Sequence, residues 1–342
     1  MNELVSERAF SAATRPARLG FRGVGWIGRH RMEAILSSGA GQAVAIADAS
    51  KEMAEEASKL APDAAVVSGL EDLLRHDLDG VVVATPSAQH AAQSIQVLEA
   101  GKAVFCQKPL GRDASEVEAV VTAARRADRL LGVDLSYRHT EGMRQIRRLL
   151  QSGELGHVYA VDLVFHNAYG PDKEWFYDKA RSGGGCVMDL GIHLADLALW
   201  AMDFPDIEKV TSQLFQEGRR ISGATGKVED FATAVIELAN GTLIRLTCSW
   251  RLQAGCDAII GASFYGTGGG AEMRNVNGSF YDFTAARFRG TSREMLVEPP
   301  EDWGGRAAVE WARRLRTGTR FDPAAREYLA TAEAIDRIYR AA

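Results

Sequence analysis

The chain has 342 residues, 46% of them apolar and 25% charged, and a net charge of −5. That is ordinary globular composition, long enough for two domains with buried cores and needing no disulfide or metal to fold. The acidic balance argues against nucleic acid as a partner, because phosphate binding needs a basic face.

Residues 1–17 read as a loose arm, charged at the start and without an apolar signal core. From there to residue 136, short apolar runs alternate with helical patterns. Strands are predicted at Arg18–Arg22, Gln42–Ala47, Ala64–Val67, Gly80–Ala84, Ala103–Cys106 and Leu130–Leu135. Helices are predicted between them at Ile27–Ser38, Glu52–Leu60, Glu71–Leu74, Ala88–Ala100 and Ala114–Ala127. The strands are rich in Val, Ala and Ile and mostly do not alternate, as in strands covered on both faces. An α/β doubly wound parallel sheet over 18–136 is the expectation.

The second half, 137–342, reads differently. A helix near Thr140–Gln151 precedes a long strand, His157–Asn167, and an apolar helix near Leu190–Met202 follows a glycine-rich loop. Strands at Val210–Gln216, Phe231–Leu238, Thr242–Arg251, Ala258–Gly266 and Phe280–Arg287 then run without intervening helices, which predicts a large, mostly antiparallel open sheet. Helices near Gly305–Arg316 and Pro323–Arg340 close the chain. No apolar stretch approaches the roughly 20 residues of a membrane span. No membrane partner is expected, and a cytoplasmic location is the default. Cys106, Cys186, Cys248 and Cys256 form no C-x-x-C pair and read as reduced thiols.

The strongest local signal is Gly23-Val24-Gly25-Trp26-Ile27-Gly28, after a predicted strand and opening a predicted helix. Gly23 permits the tight turn, Gly25 lets backbone approach a pyrophosphate, and Gly28 lets helix pack on strand. The helix start offers free N–H groups and the positive end of its dipole to phosphate. Asp48 ends the second strand, 20 residues beyond Gly28. Its carboxylate suits the adenosine ribose hydroxyls and would repel a 2′-phosphate, favouring NAD over NADP. The alternative for Asp48 is an N-cap before Lys51-Glu52. Arg22, a cation at the end of a buried strand, is assigned no role.

Further motifs follow in order. Ala84-Thr85-Pro86-Ser87-Ala88-Gln89-His90 comes after the fourth strand and Gln107-Lys108-Pro109 after the fifth. Ser182-Gly183-Gly184-Gly185-Cys186-Val187-Met188-Asp189-Leu190-Gly191-Ile192-His193-Leu194-Ala195-Asp196 lies in the second half. With the glycine turn, this ordered set resembles the Gfo/Idh/MocA oxidoreductases from about Leu19 to the C-terminus. The resemblance implies a nicotinamide-dependent dehydrogenase or reductase of a sugar, inositol or related polyol. It also implies a Rossmann domain, a substrate domain, and dimers or tetramers through the open sheet. It assigns Lys108, Asp189 and His193 to catalysis. Gly23, Gly25, Trp26, Ile27, Gly28, Asp48, Thr85, Pro86, His90, Gln107, Lys108 and Trp175 are assigned to the cofactor. The family's usual glutamate before the lysine is Gln107 here. If the two side chains are close, Lys108 has lost a neighbouring anion.

Hydride transfer needs a base for the hydroxyl proton and positive charge for the developing alkoxide. His193 suits the first role, Lys108 the second, and Asp189 would bind substrate or tune the pair. A helix starting near Asp189 would put Asp189, His193 and Asp196 on one face. Asp196 is expected to be structural, and no metal site is expected from the three. Tyr137-Arg138 is read either as a cofactor contact or as an interdomain ion pair. Phe176, Tyr177 and Arg181 are candidates for specificity. Two other readings stand beside the dehydrogenase: an NAD-dependent glycoside hydrolase, and a non-catalytic dinucleotide-binding protein.

Overall fold

The structure is a computed structural model and describes residues 15–342. The arm expected over 1–17 thus falls outside the described residues except for its last three. Six strands form a parallel sheet: β1 (Ala17–Arg22), β2 (Gly41–Ala47), β3 (Ala65–Val66), β4 (Gly80–Val83), β5 (Ala103–Cys106) and β6 (Leu131–Val133). Their order is β3-β2-β1-β4-β5-β6, so the chain reverses its direction of travel at β1. Helices α1 (Trp26–Ser37), α2 (Lys51–Ser58), α3 (Leu70–Leu74), α4 (His90–Glu99) and α5 (Ala114–Ala127) connect them. β4 and β5 are buried at every position, which is why their sequences do not alternate. In α5, Val117, Val120, Val121 and Ala124 form the buried stripe, and the Asp113 carboxylate caps the helix by accepting from Glu116 N–H.

The second half adds α6 (Glu141–Gln151), β7 (Val158–Asn167), α7 (Lys179–Ser182) and α8 (Ile192–Ala201). Eight strands follow: β8 (Ile207–Gln216), β9 (Arg219–Ile221), β10 (Phe231–Leu238), β11 (Leu243–Ser249), β12 (Ala258–Gly266), β13 (Gly270–Asn275), β14 (Phe283–Arg289) and β15 (Ser292–Val297). With β7 they make a nine-stranded sheet, β15-β14-β13-β12-β7-β11-β10-β8-β9. It is antiparallel except where β7 pairs with β11. β10 alternates strictly between buried and half-buried positions, as a one-face-covered strand should. The sequence pattern misses β9, β13 and β15. β9 and β15 are edge strands exposed along most of their length, and β13, Gly-Ala-Glu-Met-Arg-Asn, carries no β-branched residue.

Two closing helices, α9 (Arg306–Arg316) and α10 (Arg326–Arg340), break the order of the chain. α9 returns to the first sheet. Its Trp311 lies 5.7 Å from Phe105 of β5, and side chains on Gly80 or Gly132 would occupy its place. Division of 18–136 from 137–342 therefore does not describe α9, whose apolar face completes the core of the parallel sheet. α10 packs on α5 and α8, bridging the two halves. Cys106, Cys186 and Cys248 are buried free thiols and Cys256 is half-buried. No described helix is long and apolar enough to cross a membrane.

Candidate active site

The glycine turn hangs from the ends of β1 and β2. Gly23 adopts φ +85° and donates its N–H to Ala47 O, and a Cβ there would strike Ala84 and Thr85 backbone. A Cβ on Gly28 would collide with the Gly23 carbonyl, whereas one on Gly25 would meet nothing within 4 Å. The first and third glycines thus serve the turn, and the second leaves an open cradle. No side chain caps α1 at Gly25, so its first N–H groups face that opening. Trp26 opens the helix and is 63% exposed beside the cradle, with Ile27 half-buried behind it. This geometry fits a pyrophosphate.

Asp48 braces the turn. Its Oδ2 accepts from Val24 N–H at 2.7 Å and its Oδ1 from Ser50 N–H at 2.8 Å. The cap of α2 is Ser50, which accepts from Met53 N–H, so Asp48 is not the N-cap. Arg22 reaches the Ala47 carbonyl at 3.4 Å, and its buried Nε has no partner among the described residues.

At the same carboxyl edge, the Thr85 hydroxyl donates to Gln93, and Pro86 starts a short 3₁₀ turn. His90 is buried. Its Nε2 lies 2.5 Å from the Thr85 carbonyl and its Nδ1 lies 2.6 Å from the Pro109 carbonyl. It therefore ties the loop after β4 to the loop after β5, and burial pushes its pKa down. Gln107 is likewise engaged. Its Oε1 accepts from Lys108 N–H at 2.9 Å, and its Nε2 donates to Asp134 Oδ2 at 2.8 Å.

From the second half, the glycine-rich segment delivers Asp189. A Cβ on Gly184 would collide with the Tyr339 hydroxyl, and one on Gly185 with the Glu229 carbonyl. The buried Glu229 carboxylate accepts from Gly185 N–H, Val187 N–H and Tyr339 OH, pinning the turn, and burial raises its pKa. The expected α-helical start is instead a π turn over Val187–Gly191, which shifts Asp189 off the α-helical face. Lys108 Nζ donates to Asp189 Oδ1 at 2.6 Å and to its backbone carbonyl at 2.7 Å. Trp250 Nε1 donates to Asp189 Oδ2 at 3.0 Å. The ammonium that lacks an acid at 107 thus has Asp189 as its counter-ion.

His193, the second residue of α8, packs edge-on against Tyr137 with ring centroids 5.0 Å apart. Among the described residues its nitrogens make no hydrogen bond. Burial, with Lys108 and Arg31 nearby, holds its pKa well below the ordinary 6.5, so the ring is neutral. Asp196 does not join the cluster. Its carboxylate takes two guanidinium bonds from Arg138 at 2.5 and 2.7 Å and one from the Thr331 hydroxyl at 3.1 Å. Tyr137 thus makes an aromatic contact to His193, and the Arg138 ion pair lies within the second half rather than between the two.

Trp175 stacks on Phe176 with ring centroids 3.9 Å apart, and Phe176 and Tyr177 pack edge-on against Trp250. An aromatic wall therefore stands beside Asp189. Sequence reasoning missed Trp250, Glu229, Arg31 and Asp134. Glu229 lies 42 and 44 residues from the backbone it pins, Trp250 61 from Asp189, Asp134 27 from Gln107 and Arg31 103 from Asp134, and no spacing rule links them.

Residues 17–135 match the family description "oxidoreductase family, NAD-binding Rossmann fold", and residues 143–272 match "GFO/IDH/MocA C-terminal domain". The chain belongs to the Gfo/Idh/MocA oxidoreductase family. It is 30% identical to D-glucoside 3-dehydrogenase of Escherichia coli K12 over 57% of this chain and 58% of that protein. Against four curated relatives the aligned stretch covers 58% to 63% of their length. A levoglucosan dehydrogenase in complex with NADH and levoglucosan superposes with TM-score 0.81 at 20% identity, covering 95% of this chain and 97% of that one. A 3-ketoreductase from Actinomadura kijaniata in complex with NADP and TDP-benzene superposes with TM-score 0.80 at 23% identity, covering 94% and 97%. The two neighbours carry different nicotinamide cofactors, NADH in one and NADP in the other.

Proposed function

We propose that this chain moves a hydride between NAD(P) and a hydroxyl or carbonyl carbon of a sugar, cyclitol or related polyol. The observation that carries the reading is the half-buried Lys108–Asp189 pair beside a neutral, unbonded His193, on the carboxyl side of the parallel sheet. Ligands bind on that side in sheets of this kind. A bound nicotinamide supplies or accepts the hydride. Gly23, Gly25, Trp26, Ile27 and Gly28 form the pyrophosphate cradle, and Asp48 presents its remaining lone pairs to the adenosine ribose. Thr85, Pro86 and Trp175 border the nicotinamide end. His90 and Gln107, whose polar atoms are already engaged, shape that wall by holding its loops.

His193 takes the hydroxyl proton on its free nitrogen. Lys108 has three N–H donors and spends two on Asp189, leaving one for the substrate oxygen as negative charge develops. Asp189 fixes the ammonium and is itself fixed by Trp250. The aromatic wall of Trp175, Phe176, Tyr177 and Trp250 suits the C–H face of a sugar, and the glucoside 3-dehydrogenase relative supports that class. NAD is proposed over NADP because the Asp48 carboxylate at the end of β2 would repel a 2′-phosphate. Homodimers or tetramers are proposed through the open face of the nine-stranded sheet, where Tyr159 and Leu243 are exposed. Residues 18–136 with α9 would serve the cofactor, and the rest the substrate and assembly, in the cytoplasm.

The test is to mix the protein with NAD or NADP and a panel of sugars, glycosides and cyclitols, following reduced-nicotinamide absorbance. Turnover with at least one polyol is expected, faster with NAD. Tight dinucleotide binding without turnover on the whole panel would leave a binding protein. Glycoside cleavage without net reduction would mean hydrolysis by transient oxidation.

A further inference from the structure

Gln107, Asp134 and Arg31 come from three separate elements and meet behind the candidate site. Arg31 is on α1, the helix opened by the glycine turn. Gln107 follows β5 and adjoins Lys108. Asp134 follows β6, two residues before the turn that carries Tyr137. Arg31 Nε donates to Asp134 Oδ2 at 2.5 Å, with side chains 7% and 0% exposed. Gln107 Nε2 donates to the same oxygen at 2.8 Å, and Gln107 Oε1 accepts from Lys108 N–H. The other Asp134 oxygen is buried with no partner among the described residues. Flipping the Gln107 amide would set its oxygen against the carboxylate and its NH₂ against an N–H, so chemistry fixes its orientation.

A buried carboxylate with one guanidinium is a balanced pair, and removing either charge leaves the other uncompensated. An acid at 107 would put a second carboxylate within hydrogen-bonding distance of the first, with one cation between them. The amide at 107 and the acid at 134 are therefore alternatives for one negative charge.

We propose that Arg31, Asp134 and Gln107 form a single charge-balanced positioning unit for the candidate site, in which Asp134 carries the one anion the ends of β5 and β6 admit and Gln107, kept neutral, links that anion to the Lys108 N–H. The unit links the helix of the dinucleotide turn to the lysine, and Arg31 is also one of the two cations whose field reaches His193, the other being Lys108. Around His193, Tyr137 packs against the ring and Asp189 holds Lys108. Its bearing on turnover rests on the catalytic reading above; the coupling is measured on the protein without cofactor.

The experiment compares wild type with Q107E, D134N and the double variant Q107E/D134N. Each single variant should lower Tm by about 5 °C, while the double, which moves the anion without changing its number, should return to within about 2 °C of wild type. The second readout is the His193 titration, followed by NMR of histidine-labelled protein with the peak assigned by its absence in H193N. Q107E should move it up by roughly half a pH unit, because an anion has been added nearby, and the double should move it back. Additive losses in the double, or a Q107E protein as stable as wild type with an unmoved His193, would overturn the proposal. A wild-type protein that turns over no polyol yet shows this rescue in both readouts would remove the catalytic reading and keep the unit.

Discussion

Two ion pairs anchor the segment 189–196, one from the first half of the chain and one from within the second, and they are built to opposite ends. Arg138 and Asp196 are 11% and 2% exposed. Arg138 spends Nε and Nη2 on Asp196 and Nη1 on Glu327, and its guanidinium sits over Phe204 at 5.4 Å. Lys108 and Asp189 are each 17% exposed, and Lys108 keeps a donor in hand beside a histidine with no partner. A point charge on a flexible stem stands at the open pair, a bidentate fork at the closed one. Saturation and burial mark a pair that holds elements of the second half together. Spare hydrogen-bonding capacity at a half-open edge marks one that receives a ligand.

The comparison breaks first at Lys108. K108M should keep the stem's packing and remove the charge, lowering kcat/KM on the order of 10²- to 10³-fold while dinucleotide affinity and Tm stay near wild type. Turnover equal to wild type would end its role as alkoxide stabiliser. D196N should do the reverse. It strips a buried guanidinium of its bidentate partner, a loss of about 3–5 kcal/mol in unfolding free energy, with kcat per folded molecule little changed. A stable D196N protein with slow turnover would place Asp196 in the chemistry after all.

The difference between the pairs was only partly legible in the sequence. The glycine turn could be read residue by residue, because each glycine answers to atoms within the turn or to the adjoining strand end. The parallel sheet was legible because burial on both faces suppresses alternation, and β10 because one-sided burial enforces it. Asp189, His193 and Asp196 were legible as residues but not as an arrangement. Helical spacing puts them on one face, and the π turn over 187–191 moves Asp189 off it. The return of α9 to the first sheet was hidden, since amphipathicity says that a helix has a partner and not which one. Arg31 and Asp134 lie 103 residues apart, and their meeting depends on the sheet order. Gln107 stood out only as a departure from the E-K-P pattern, and the carboxylate that makes sense of it had no sequence mark.

pH offers a milder way to sharpen the contrast, because the two pairs differ in whether a titrating group lies beside them. His193 is held below its ordinary 6.5 in the folded chain, by burial first and then by Lys108 and Arg31. The base therefore stays unprotonated as pH falls through 6.5, and the acid limb of kcat/KM should lie below that value. Stability runs the other way. Between 6.5 and the depressed native value the unfolded chain binds the extra proton, so stability falls as pH falls through that window and is unaffected above it. His30, His90 and His166 are lowered as well and add to the same slope. H193N should reduce the slope without abolishing it. An acid limb at or above 6.5 in the wild type would argue against His193 as the base.

The smallest expected effect tests how finely the open pair is set. Trp250 is 3% exposed and its indole N–H holds the Asp189 oxygen that Lys108 does not use. W250F keeps an aromatic ring in the wall and deletes that donor. One hydrogen bond of this kind contributes about 1 kcal/mol, so kcat/KM should fall roughly fivefold. The split between its terms carries the information. If Asp189 only steadies a lysine that acts as the alkoxide forms, kcat should fall with KM nearly constant, because the contact strengthens only in the transition state. If Asp189 binds a substrate hydroxyl directly, KM should rise and kcat hold, and Lys108 would then be sharing its partner with the substrate rather than being positioned by it.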